Sequence, residues 1–308
     1  MRLDDFDPNI DVEDQRGSGG GMSFGGGGGG GGMLLGLLPF VFSRFGCGGV
    51  VVLLIVLAVF GGGLNLMGGG GDQVSAPTAQ VGQQGSAQGG HDVQSSCTLN
   101  AGSKAACNAL SSADKTWAAI FAQSGQTFKR PKLVFYGGEG QSGCGAAQSA
   151  MGPFYCPQDQ GIYLDTSFFD ELATRFGAKG DFAQDYVIAH EFGHHIQNLL
   201  GTSDQVATAQ RRASEAQGNA LSVRLELQAD CYAGVWAAKN RDRMEPGDLE
   251  EGMTAAHAIG DDTLQQEAQG RVVPDSFTHG TSAQRMSWLR KGLETGDPGQ
   301  CDTFSGGI

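Results

Sequence analysis

The sequence predicts an α+β fold in which a small sheet precedes a body of helices. Two short apolar runs, KLVFY at residues 132–136 and GIYL at residues 161–164, have the length and composition of strands. Several later segments carry apolar residues at helical spacing. Strands followed by a run of helices are typical of α+β architecture, with the sheet set apart from the helical body.

The helical segments follow from their apolar faces and terminal signals. Thr281 with Gln284 forms a capping-box pattern for the last helix, and residues 137–160 lack a regular period and are expected to form a long loop. Polar residues and glycines at the ends of the other helical segments give the approximate boundaries of those helices. The predicted helices cover residues 105–123, 166–176, 181–201, 203–240, 248–259 and 281–293.

Composition separates an N-terminal region from a folded domain. Glycine makes up 52 of 308 residues, and most of the excess lies before residue 92. We expect residues 1–45 to be a disordered, glycine-rich, cytoplasmic N-terminus, because residues 1–16 are polar and acidic and residues 17–32 are nearly all glycine. Residues 68–95 predict a second flexible linker, and residues 96–308 predict the folded domain.

An apolar tract at residues 46–67 predicts one transmembrane helix. Its 22 residues carry no charge, which is long enough to span a bilayer. A cleaved signal peptide fits poorly, because the tract starts far from the N-terminus and is too long. Arg44 precedes the tract, and no Lys or Arg follows it before Lys104. The sequence therefore predicts a single-pass membrane protein with a cytoplasmic N-terminus and a C-terminal domain outside the cytoplasm.

Six cysteines follow this tract, and their even number predicts disulfides in an oxidising compartment. Six cysteines allow 15 connectivities. Proximity favours Cys97–Cys107 and Cys144–Cys156, which leaves Cys231–Cys301. The net charge of −13 and the pI near 4.8 argue against a nucleic-acid partner, since no basic stripe is available for phosphates.

The segment at residues 181–201 carries the chemistry. Asp181 with Gln184 predicts a capping box, and Gly201 predicts the helix end. His190, Glu191 and His194 form H-E-x-x-H, which places two imidazoles one turn apart, where they can bind one Zn²⁺. Gly193 inside the helix costs about 1 kcal/mol relative to Ala, so we expect it to have a packing reason.

A third zinc ligand must come from elsewhere, because the metzincin continuation is absent: the third and sixth positions after His194 are Gln197 and Leu200. Glu226, in LSVRLELQADCYAGVWA, is the candidate, since its apolar neighbours would make an unpaired carboxylate costly. Asp230 lies one turn later and is placed to accept the second N–H of a zinc-bound histidine. Solvated acids on an amphipathic helix are the alternative explanation.

H-E-x-x-H followed by a helical E-x-x-x-D is the arrangement of the gluzincin metallopeptidases. The chain most closely resembles the bacterial family of neutral zinc metallopeptidases. The resemblance covers nearly the whole chain, through the RLDD start, YCPQDQGIYLD, VIAHEFGHHIQ, LELQADCYAGVWA, AIGDD and FTHGTSAQR. It implies a zincin-like metallopeptidase domain with zinc as cofactor, anchored by a single pass in the bacterial inner membrane and facing the periplasm. It supplies no substrate.

The corresponding hypothesis is hydrolysis of peptide bonds in peptides or unfolded proteins by a zinc-activated water, with Glu191 as general base. His279 is the first candidate for stabilising the oxyanion, with Arg285 behind it and Tyr163 as the other option and as a substrate-binding residue. His195 and His257 are expected to be structural. GIYLD is expected to form the sheet edge along which a substrate lies. The alternative function is a catalytically silent, zinc-containing scaffold or envelope quality-control module.

Overall fold

The computed structural model describes residues 1–4, 6–17 and 92–308. The predicted transmembrane segment, the glycine-rich run, Cys47, His91 and nearly all of the predicted second linker lie outside these residues. Among the described helices, none is both long and apolar enough to cross a membrane. The predicted α+β class is confirmed, with a small sheet and a helical body.

In the described ranges the strands are β1 (Asp11–Asp14), β2 (Lys132–Phe135), β3 (Glu139–Ser142), β4 (Gly145–Gln148), β5 (Phe154–Cys156) and β6 (Gly161–Leu164). The α-helices there are α1 (Val93–Thr98), α2 (Ala101–Gln123), α3 (Ser167–Thr174), α4 (Asp181–Leu199), α5 (Thr202–Gln210), α6 (Glu215–Lys239), α7 (Asp248–Ala258), α8 (Asp261–Gln269) and α9 (Ser282–Thr295).

The main sheet has the order β1-β2-β6-β5. β1, β2 and β6 run parallel, and β5 pairs antiparallel with β6 and forms one edge. β3 and β4 form a separate hairpin inside the region predicted as one long loop. The central strands are apolar because they are covered by helices α2 and α4.

The predicted disorder of the N-terminus is wrong for the residues there that the structure describes. Residues 11–14 form β1, in register with β2 from Asp11↔Lys132 to Asp14↔Phe135. The acidic side chains that suggested disorder have basic partners, one of them distant in the sequence and one close by. Lys132 lies 2.5 Å from Glu13, and Arg16 forms an ion pair with Asp14 at 2.6 Å. Strand pairing over more than a hundred residues leaves no local signal in the sequence.

The helical body is built on α4, α6 and α9. The two long helices α6 and α9 approach closely at glycines. A Cβ on Gly292 would lie 2.0 Å from the carbonyl oxygen of Cys231, and one on Gly234 would lie 2.2 Å from that of Leu289. These contacts explain why neither position carries a side chain. Behind them lies a core with large buried side chains such as Trp117 and Trp236.

All three predicted disulfides are present: Cys97–Cys107, Cys144–Cys156 and Cys231–Cys301. The third joins α6 to the C-terminal segment, over a separation of 70 residues. The helix predicted at residues 203–240 is in fact two helices, α5 and α6. The capping box of α9 at Thr281 and Gln284 is confirmed, whereas α4 starts after Gly180 without a side-chain cap.

Candidate metal centre

Helices α4 and α6 bring the predicted ligands together. Nε2 of His190 lies 3.2 Å from Oε2 of Glu226, and Nε2 of His194 lies 3.4 Å from Oε1 of the same carboxylate. The two imidazole rings are 4.8 Å apart and nearly perpendicular. The three side chains therefore direct their ligand atoms at one point, as the H-E-x-x-H spacing and the placement of Glu226 predicted.

The spacing of these atoms fits a zinc ion. Ligand atoms at about 2.0 Å from a tetrahedral zinc lie about 3.3 Å from one another. The two separations between nitrogen and oxygen in the structure, 3.2 and 3.4 Å, match this value. Two histidines and one glutamate are also a donor set of catalytic zinc sites, which leave a fourth position for water. These residues can thus hold one zinc ion.

Gly193 explains how the two helices come close enough. It faces Ala229 of α6, and a Cβ at Gly193 would lie 2.9 Å from both the Cα and the carbonyl oxygen of Ala229. Any side chain there would push α6, with Glu226, away from the histidines. The expected packing reason for Gly193 is therefore confirmed. The absence of a side chain there lets α4 and α6 approach closely at the metal centre.

A buried network holds His190. Its Nδ1 lies 2.8 Å from Oδ1 of Asp230, which is fully buried and also accepts a 2.6 Å bond from the hydroxyl of Tyr186. Arg285 donates to both carboxylate oxygens of Asp230, each at 2.9 Å. This orientation presents Nε2 of His190 to the metal position. Arg285, the second candidate for stabilising the oxyanion, instead neutralises Asp230.

His194 is held by a residue whose role the sequence reasoning missed. Its Nδ1 lies 2.8 Å from Oε1 of Gln197, one turn later on α4. The amide of Gln197 donates to the carbonyl of Leu225 at 2.7 Å, so its oxygen faces His194. Gln197 is completely buried. The sequence could have indicated this contact, because Gln197 is three residues after His194 and residues i and i+3 of a helix lie side by side.

Charge in the centre is set by these contacts. Burial opposes the charge of His190, but the carboxylates of Asp230 and Glu226 outweigh it and raise the pKa of His190 to about 9. Burial also opposes ionisation of Glu226, yet the two imidazoles hold its pKa well below the usual range. Glu191 is 7% exposed, and burial raises its pKa above the ordinary value. Glu226 is thus an anionic ligand, and Glu191 beside it is a carboxyl group with a raised pKa. This combination suits metal-assisted proton transfer.

The centre opens into a cleft of about 670 Å³. Its walls include Glu191 and His279 together with apolar side chains from several elements. The apolar part of the wall includes Met151, Phe154, Tyr155, Phe168, Phe176, Val187, Val206, Leu225, Ile259 and Leu264. A cleft that is mostly apolar with a few convergent polar groups is typical of a substrate site.

The structure places His279 on the wall of this cleft, as predicted. It also shows that Asp261 is the hydrogen-bond partner of His279, which was not predicted. Oδ1 of Asp261 lies 3.1 Å from Nδ1 of His279, and Oδ2 accepts the backbone N–H of His279 at 2.6 Å. This hydrogen bond raises the pKa of the half-exposed His279 imidazole, against the opposing effect of burial. Asp261 begins α8, a helix that the sequence analysis did not predict, although AIGDD was among the resembling motifs.

Tyr163 is not positioned as predicted. Its ring is 1% exposed, stacks on Phe154 and donates to Asp159 at 2.6 Å, on the face of β6 that packs in a second small core. β6 is also an inner strand, because β5 lies outside it. The edge beside α4 is therefore β5 and not GIYLD, and the tyrosine that lines the cleft is Tyr155.

β5 is fixed to α4 by His195. Its Nε2 lies 2.7 Å from the carbonyl oxygen of Lys129, so this nitrogen donates, and Nδ1 accepts from the hydroxyl of Tyr155 at 3.0 Å. Burial lowers the pKa of His195 to about 4, which keeps the ring neutral. The structural role expected for His195 agrees with these contacts. His257 lies exposed on α7, apart from this network.

Fold and site together define an α+β protein with a three-ligand H-E-x-x-H centre. The chain belongs to the family described as Putative neutral zinc metallopeptidase, which it matches over residues 1–304. It is 47% identical over 303 residues to the uncharacterized protein YpfJ of Escherichia coli (strain K12), covering 96% of each chain. It is also 47% identical over 191 residues to the uncharacterized protein Rv2575 of Mycobacterium tuberculosis (strain H37Rv), covering 58% of this chain and 64% of that protein. No solved structure matches the chain.

Proposed function

We propose that the chain is a zinc-dependent metalloendopeptidase of the gluzincin type. The observation that carries the proposal is the convergence of His190, His194 and Glu226 at zinc spacing, with Glu191 on the wall of the same cleft. Membership of a zinc metallopeptidase family supports it. A structural zinc is normally closed by four protein ligands, whereas these residues supply three.

Each residue of the centre has a distinct task. His190, His194 and Glu226 hold the ion, which when bound polarises a carbonyl group and lowers the pKa of a water to about 7. Glu191 takes a proton from the attacking water and passes it to the leaving amine. His279 donates a hydrogen bond to the oxyanion that develops on the scissile carbonyl. Asp261 keeps the imidazole of His279 oriented and protonated.

The edge strand β5 supports an extended peptide as substrate. It is the terminal strand of the sheet, and Phe154 and Tyr155 on it line the cleft. An extended chain added to this edge would bind mainly through backbone hydrogen bonds and so with little sequence preference. Peptides or unfolded proteins are therefore the proposed substrates, with apolar side chains favoured by the cleft wall.

The proposed location of the peptidase unit is outside the cytoplasm, attached to the bacterial inner membrane through residues 46–67. The three disulfides support this location, since such bonds persist in oxidising compartments. The length and uniformity of the apolar tract support the attachment.

Metal content and hydrolysis, measured on the same full-length preparation, test the proposal. We expect one zinc per chain and cleavage of denatured casein. His190→Ala and Glu226→Ala should lose both, whereas His257→Ala, a histidine outside the centre, should keep both. Retention of zinc in both ligand variants would reject the centre. Zinc in the wild type without hydrolysis of any unfolded substrate would favour the alternative, a catalytically silent scaffold.

A further inference from the structure

The first residues of the chain are built into the same unit as the metal centre. β1 is the second edge of the main sheet and runs parallel to β2 over four paired positions, Asp11↔Lys132 to Asp14↔Phe135. The described residues 1–4, 6–17 and 92–308 belong to one compact unit. The N-terminal segment, meaning residues 1–17 here, therefore completes the sheet of the peptidase unit.

Polar contacts anchor this segment along its length to helix α2. The carbonyl of Leu3 accepts a bond from the side-chain amide of Asn108, and the backbone N–H of Asp7 donates to Ser111 at 2.6 Å. Further along, the guanidinium of Arg16 donates to the hydroxyl of Ser103 at 2.6 Å. The contacts thus extend well beyond the strand itself.

Apolar burial fixes the segment as well. Met1, Leu3 and Ile10 are 2%, 9% and 3% exposed and belong to the main core. The guanidinium of Arg16 lies 4.4 Å over the ring of Phe135 in β2. Burying three large apolar side chains removes their surface from water and so stabilises the fold. A segment held in this way is a structural part of the unit.

We propose that the N-terminal segment is a permanent strand of the peptidase unit, so that residues 1–17 and 92–308 lie on the same side of the membrane. Paired strands lie about 4.8 Å apart, whereas the hydrocarbon core of a bilayer is about 30 Å thick. A single crossing between residues 17 and 92 would separate β1 from β2, so residues 46–67 would attach the unit to the membrane without a net crossing of the chain. The orientation predicted from Arg44, with a cytoplasmic N-terminus and an external domain, is incompatible with this sheet. The inference does not depend on peptidase activity.

An engineered disulfide tests the proposal in membranes of the producing cell. In-register parallel partners have Cα atoms about 4.8 Å apart, within the 4.4–6.8 Å that a disulfide spans. The variant carries Asp11→Cys and Lys132→Cys, with Cys47→Ser and a protease site inserted between residues 72 and 90. The native disulfides all lie after residue 92. After cutting, only the engineered bond can join the two fragments.

We expect the fragments to stay joined on a non-reducing gel and to separate on reduction. The control carries Asp11→Cys with Arg290→Cys, an exposed position on α9 outside the sheet, and should separate in both gels. Complete separation of the Asp11/Lys132 variant after oxidation would overturn the proposal.

A second measurement avoids any change to the sheet. Single variants Asp4→Cys and Glu250→Cys, both at exposed positions, are treated in intact cells with a membrane-impermeant maleimide, again without Cys47. Equal accessibility of the two sites, measured against labelling after lysis, supports the proposal. Labelling of one site with protection of the other would place them on opposite sides and overturn it.

Discussion

Oδ1 of Asp230 lies 2.8 Å from Nδ1 of His190, and both groups are buried. Asp230 thereby fixes the tautomer of the histidine without touching the metal position. The same carboxylate is paired with Arg285, so its negative charge is compensated. The network therefore orients a ligand and at the same time keeps a charged pair inside the core.

Replacing Asp230 should weaken zinc binding in a graded order. Loss of such a partner typically costs about 10–100-fold in metal affinity. Asp230→Asn should be milder than Asp230→Ala, because an amide oxygen still accepts the bond, and Glu226→Ala should be the most severe. Zinc affinities measured by competition with a chelator check the order.

Thermal unfolding of the same variants separates binding from folding. Asp230→Ala leaves Arg285 as an unpaired buried charge, which costs about 3–5 kcal/mol of stability. Tyr186→Phe, which removes a donor to Asp230 and a 3.3 Å acceptor for Arg285 but keeps the ion pair of these two residues, is the control and should keep both stability and affinity closer to the wild type. Wild-type zinc affinity in both Asp230→Ala and Glu226→Ala would refute the assignment of the two acids.

Gly193→Ala should separate the two helices of the centre. Its methyl group would lie within 2.9 Å of the backbone of Ala229, so α4 and α6 must move apart. Overpacking of this kind costs roughly 1–3 kcal/mol and should also weaken zinc binding. Gly218→Ala on α6, whose Cβ would enter open space, should instead be neutral or stabilising. Equal stability of the two variants, measured by denaturant unfolding, would contradict this packing.

The pair His279 and Asp261 should determine the pH at which activity declines on the alkaline side of the pH profile. His279 acts as a cation, so hydrolysis should decline as pH rises through its raised pKa. Asp261→Asn removes the main cause of that elevation, so the decline should move to lower pH. The measurement is kcat/KM against pH for both proteins. An unshifted alkaline limb in Asp261→Asn would show that His279 is not the group that titrates.

Asp114 on α2 should make stability depend on pH. Burial raises the pKa of Asp114 to about 7, despite Arg130 at 3.4 Å, while an unfolded aspartate titrates near 3.9. Between these values the folded state binds a proton that the unfolded state releases, so stability should fall as pH rises from about 4 to 7.

Asp114→Asn should flatten that part of the stability profile, measured as Tm against pH. Asp204→Asn, at an exposed position on α5, is the control and should leave the profile unchanged. A profile for Asp114→Asn that keeps the wild-type slope between pH 4 and 7 would contradict the account of this residue.

The centre was predictable from sequence because its parts are local. His190 and His194 share one helical turn, as do Glu226 and Asp230 on the next long helix, and the capping box at Thr281 is also local. The disulfides followed from sequence proximity and elimination. Such patterns need only the period of a helix or the distance along the chain.

Long-range pairing accounts for what was missed. β1 joins the sheet over more than a hundred residues, and Lys132, the partner of Glu13 in β1, is equally distant in the sequence. Tyr163 lies on the opposite face of β6 from the helices, and β5 occupies the edge, because neighbouring side chains on a strand alternate between faces. Asp261 meets His279 across 18 positions, which no periodic pattern connects.

The most direct test of the proposed chemistry is Glu191→Gln, measured for zinc content and casein hydrolysis on one full-length preparation. Glu191 lines the cleft beside the ligands and is the proposed base, so its amide should leave the centre intact and remove proton transfer. We expect one zinc per chain, as in the wild type, with hydrolysis reduced by at least about 10²–10⁴-fold. Wild-type turnover by zinc-loaded Glu191→Gln would contradict the mechanism.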